Sequence, residues 1–285
     1  IDAYRHPNVQ VSQRALVGIT FILHAYSPRI SFYPEINLRI TALMEETAFE
    51  RDLLRIHIQI LLSQETEKID KKMREEIIPE MLKSMSPMRN MKFGFEESDE
   101  EKDDTNPDWA DAIEKSGLGD KLREMNELQL EGADVYMSTF SQLKSYPFFR
   151  DISNWFYPFD KQQSDVIKEF RHRGKEGGSL LEIILQSGFF CNSDKYSLFF
   201  TMQQLPQSQR DMMLNQLTDQ QIEELADQSK AETLKKFSER PDTVSNQYLH
   251  DLYRFFKLYA RRLEFRDLFK ESICLYNEPD LIDIL

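Results

Sequence analysis

The densest set of anion-holding groups in the chain is Arg171-His172-Arg173-Gly174-Lys175-Glu176-Gly177-Gly178-Ser179. Basic side chains and glycines there precede a capping-box pattern, Ser179 to Glu182. Free backbone N–H groups and the helix dipole at such a start can face a phosphate or carboxylate. Arg171, Arg173 and Lys175 are therefore candidate anion ligands. The plainer reading of the same residues is an interhelical loop whose bases close the preceding helix.

Elsewhere the reactive residue types are dispersed. His6, His24, His57, His172 and His250 are scattered, with no HExxH, no HxH and no carboxylate at zinc-site spacing. His57 lies in a strongly apolar stretch and reads as a hydrogen-bonded core residue. Cys191 and Cys274 are far apart and outside any CxxC, which fits core or boundary thiols in a reducing compartment. Glu45/Glu46, Glu75/Glu76 and Glu223/Glu224 are adjacent carboxylates that point about 100° apart on a helix and make poor acid/base pairs. No GxSxG, Walker A or GxGxxG pattern occurs. The sequence thus predicts no catalytic residue, no cofactor and no metal.

The elements that must carry these residues read as helices. Val9, Leu16, Ile19, Phe21, Ile22, Leu23 and Tyr26 fit one helix, expected to end at Pro28. A second is expected from Pro34 through Ile36, Leu38, Ile40, Leu43 and Met44 towards Phe49. Leu53 to Leu62 predicts a central third helix, and Ile69, Met73, Ile77, Ile78 and Met81 a fourth, kinked at Pro79. Ser193 is the expected cap of a helix carrying Tyr196 to Met202, and Thr218 of another carrying Ile222 and Leu225. Scarce glycine and the lack of any strand pair complete the picture: an all-α chain, an irregular antiparallel helical array or α-solenoid-like bundle.

Glu96 to Asp104 holds seven acids and one lysine before Pro107. It fails the calcium-loop template for want of the central glycine, and reads as a solvated linker. The expected organisation is an N-terminal helical region 1–92, a linker 93–107 and a C-terminal helical region 108–285. Between Tyr146 and Phe159, seven aromatic residues lie among Pro147 and Pro158. They predict a rigid connector whose rings wedge between helices, the alternative being an exposed binding platform.

Two stretches resemble helical-repeat families. His6 to Leu16 is similar to the opening of a HEAT-type helix. Tyr248, Leu252, Phe255, Phe256 and Tyr259, then Phe265, Leu268, Phe269, Ser272 and Leu275, with Asn277-Glu278-Pro279 following, resemble a tetratricopeptide helix pair. Leu268 stands where that pattern has a small residue, and the period does not recur upstream. The resemblance implies a solenoid or the region flanking one, and such proteins chiefly bind other proteins. Both ends of the chain read as continuing into further helices.

The expectation is a non-catalytic interaction or scaffold module with a protein or peptide partner. Its candidate surface is Trp155, Phe156 and Tyr157, or Tyr253, Phe256 and Tyr259. The alternative is a helical enzyme or a small-molecule or anion binder whose site is assembled from distant residues. A net charge of −13 argues against nucleic acid and anionic lipid. With no apolar run of membrane-spanning length, a cytoplasmic location is expected.

Overall fold

The computed structural model describes residues 1–79, 123–124, 126–129, 131–159, 188, 190–206 and 236–270. These residues form helices and turns and no strand, so the all-α class holds. The helices are α1 (Val9–Ile30), α2 (Pro34–Met44), α3 (Thr47–Gln64), α4 (Thr66–Lys72), α5 (Met137–Ser141), α6 (Asn192–Gln204) and α7 (Pro241–Leu258). Short 3-10 turns join α5 to the segment ending at Trp155. Thr218, the arginine- and lysine-rich 171–175 stretch, the acidic run 96–104, and Ser272 to Leu285 lie outside the described residues.

Contacts divide the chain into two compact units, 1–63 with 140–285, and 64–139. In the first, α1 packs along α7, so a helix near the start of the chain shares a core with one near its end. Leu16, Val17, Phe21, Leu43, Phe49, Leu53, Ile56 and Ile60 meet Leu249 and Tyr253 there. The Gln59 side chain ties α3 to α7, donating to Asp242 O at 2.9 Å and accepting from the Ser245 hydroxyl at 2.8 Å. Gly188 admits no side chain, since a Cβ would stand 2.7 Å from the Phe237 ring and the Thr243 methyl.

Helix α1 begins where Asn8 caps it, its side chain accepting from Gln10 N at 2.8 Å. It does not stop at Pro28, as its sequence predicts, but runs on to Ile30. A proline in the last turn removes one hydrogen bond, and a helix so near its end loses little by that. Helix α2 starts at Pro34, as expected from a residue that fits the first helical position. It ends at Met44, and Phe49 belongs to α3.

Within the second unit, Ile69, Ile77, Ala133 and Val135 form a small core. After α4 the chain makes a π-helical turn, Met73–Ile77, and Ile78 N donates to Met73 O. Pro79 is still helical. Around Gly132 the chain reverses: its φ of 98° lets Ala133 N reach Leu128 O at 2.9 Å and Gly132 N reach Gln129 O at 3.0 Å. This closes a Schellman turn that glycine accommodates without strain.

Candidate functional site

Charge and hydrogen bonding concentrate where α6 meets α7 and the 3-10 segment before Trp155. Asp194 is wholly buried, and Lys144 donates to its Oδ1 at 2.8 Å. The same ammonium donates to the Ser193 and Ser197 hydroxyls at 3.0 and 3.1 Å, which uses all three of its protons. On the other side Arg254 Nη2 stands 2.6 Å from Asp194 Oδ2. That contact is an ion pair rather than an aligned hydrogen bond, because Oδ2 has no hydrogen-bond partner by geometry. One carboxylate thus balances two buried cations.

Next to it, Asp251 of α7 caps α6 from outside. Its Oδ1 accepts from Ser193 N at 2.8 Å, and its Oδ2 from Asn192 N at 3.2 Å and Asn192 Nδ2 at 3.1 Å. Ser193 is therefore not the cap its sequence predicts. Cys191 occupies the cap position without a side-chain bond to the helix N–H groups, and a carboxylate from another helix satisfies them instead. Lys195 is only 6% exposed; its backbone N donates to Cys191 O at 3.1 Å, while its ammonium makes no hydrogen bond or ion pair with the described residues. Burial pushes its amine down to about 8, against the opposing pull of Asp251. Burial likewise pushes the Cys191 thiol up, so it stays protonated and unreactive. His57 is held below its ordinary value by burial.

Chemically this hub is a lock. Most of its acceptors and donors are directed at one another, and among the described residues no group of His, Cys, Asp or Glu could hold a metal ion. Burying these charges costs several kcal/mol each, which their mutual contacts offset.

Over the hub lie the rings of the 146–159 segment. Trp155 is buried and donates from Nε1 to Phe149 O at 2.8 Å. Its ring meets those of Phe149, Phe255 and Tyr259 at centroid distances of 5.1, 5.9 and 6.1 Å. Tyr196 donates to Pro158 O at 3.1 Å, and Asn192 Oδ1 accepts from Phe159 N at 2.9 Å. The segment is thus a clasp packed against α6 and α7. Of the six residues expected on a partner surface, Trp155, Tyr253 and Tyr259 are core, Phe156 and Phe256 are half-buried, and Tyr157 alone is exposed. Arg171, Arg173 and Lys175 lie outside the described residues, as does His172. Phe265, Leu268 and Phe269, expected on a second helix, lie in turns.

The exposed apolar surface is elsewhere. From Ser31 to Arg39 every residue is exposed, including Phe32 at 77%, Tyr33 at 59% and Leu38 at 70%. Ile22 and Tyr26, one turn apart on α1, are exposed as well. The inner face of α2 buries Leu43, with Ile40 and Met44 half-buried against the same core, whereas Leu38 points the other way. Leu38 is about 140° from Leu43 on a helical wheel, so a helix that buries one of them presents the other outward.

No family model, curated protein or solved structure matches the chain.

Proposed function

We propose that this chain is a non-catalytic protein-interaction module, an irregular helical array that docks a partner through the corner between α1 and α2. The observation that carries the reading is the run Ser31 to Arg39, a helical turn and a half-helix exposed on all sides yet carrying Phe32, Tyr33, Ile36 and Leu38. A helix with apolar residues all round is ordinarily covered. Aromatic and aliphatic side chains with arginine, and with little lysine or acid, are the composition of interface cores. Residues 3–44 contain a single acid, Glu35, of the chain's 49, alongside four arginines. The inward-directed charges at α6 and α7 support a scaffold role in the same way, since they serve packing. Membership of a repeat array of the tetratricopeptide or HEAT type is part of the proposal. So is a reducing, cytoplasmic setting, which suits the buried Cys191, free of any disulfide.

The test is a photocrosslinking amino acid placed at Phe32, at Leu38 or, as a control, at the 90% exposed Leu263, in cells that make the protein. A discrete adduct is expected at Phe32 and Leu38 and not at Leu263. The purified partner should then lose affinity about tenfold or more towards Leu38→Asp. Adducts indifferent to position, or none at the two corner sites, refute the reading.

A further inference from the structure

We infer that the occupant of the α1–α2 corner is a second copy of this chain, two α2 helices packing antiparallel across a two-fold axis near Leu38. This rests on the corner being a docking surface and adds what docks there. The outward face of α2 is formed by Pro34, Leu38, Thr41 and Ala42, which recur at the i, i+4, i+7, i+8 spacing of one helix face, and all four are exposed. Small residues at one end of this stripe leave room for the Phe32 and Tyr33 rings that precede it at the other. An antiparallel pairing places those rings of one protomer over the Thr41 and Ala42 end of its partner.

The charges fit the same arrangement. Glu35 and Arg39 are one turn apart along one edge of that face. Two-fold antiparallel packing sets like edges together and reverses their order. Glu35 then stands opposite Arg39 of the partner subunit, and the pair is repeated by symmetry. Within one protomer Arg39 contacts Asp2, an exposed bridge of little worth that can be shared or exchanged. The wider charge distribution favours the same contact. With a net charge of −13, two copies repel each other over most of their surface. Residues 3–44 carry one acid, Glu35, with Asp2 and Glu46 paired to Arg39 and Arg5 at their margins, so little uncompensated negative charge from this stretch opposes the contact.

The whole chain is examined by sedimentation equilibrium from nanomolar to high micromolar concentration, with circular dichroism as a folding control. A dimer is expected. Leu38→Asp, Glu35→Arg and Arg39→Glu should each weaken it by about tenfold or more. The double variant E35R/R39E should regain most of the loss, because it restores opposite charges across the axis. A single-chain mass at every concentration overturns the inference, as does a dimer indifferent to Leu38→Asp or a double variant no better than the single ones. Crosslinks at Phe32 that join two copies support it. A monomer whose Phe32 and Leu38 crosslinks name one other protein overturns the pairing and leaves the docking reading standing.

Discussion

Replacing Lys195 with methionine should stabilise the protein and remove part of its pH dependence. The amine is buried near the N-terminus of α6, where the helix dipole opposes a cation, and its ionisation falls from an ordinary 10.5 to about 8. At about 1.4 kcal/mol per pH unit, this corresponds to a penalty on the order of 3 kcal/mol. The unfolded chain holds the proton up to about 10.5, while the folded protein releases it near 8. Between those values the unfolded state binds more protons, so stability rises with pH. Below about 8 the penalty applies in full. Methionine keeps the length of the stem and carries no charge. Its introduction does not orphan Asp251, whose oxygens still accept from Asn192 N, Asn192 Nδ2 and Ser193 N. Urea unfolding at several pH values should show the variant ahead at neutral pH by up to about 3 kcal/mol, with the advantage shrinking towards pH 10.5. An advantage independent of pH, or a variant less stable at neutral pH, refutes the reasoning.

Asp194→Ala should behave in the opposite way. It removes the carboxylate that stands between the buried Lys144 and Arg254 cations and should cost about 3–5 kcal/mol, measurable as a lower urea midpoint with helix content retained in water. Trp155→Ala should cost about 3–5 kcal/mol in the same assay, since the ring fills the clasp between Phe149, Phe255 and Tyr259. If Trp155→Ala instead left stability unchanged and abolished partner capture, the clasp would be a binding platform and not core.

The helices were legible where local rules decide. Pro34 opens α2 because its fixed φ and missing N–H suit that position, and the apolar spacing of Tyr248 to Phe256 predicts α7. The aromatic segment was legible as a connector from its prolines, although its burial depended on rings that arrive from α6 and α7. The polar hub was not legible. Asn192, Ser193, Asp194, Lys195 and Ser197 have the composition of a solvated helix face, yet all five are buried. Their partners Lys144, Asp251 and Arg254 lie some fifty to sixty residues away, beyond the reach of periodicity. The same distance hides the cap of α6, because a search for a local Ser, Thr, Asp or Asn finds Ser193 and cannot find Asp251. A cut by chain order likewise cannot reveal that α1 shares its core with α7.

The packing of α1 along α7 also sets a schedule for biosynthesis. A ribosome that has finished Ile30 must add the rest of the chain through Leu258 before α1 can meet its main partner. At about 5–20 residues per second, that delay is on the order of 10–50 s. Leu16, Val17, Phe21 and the apolar face of α3 wait without the surface that will cover them. Helix α6 waits too, for a cap that is made only when Asp251 emerges. A core closed by α7, the last α-helix among the described residues, leaves that apolar surface open until the last turns of α7 have left the exit tunnel.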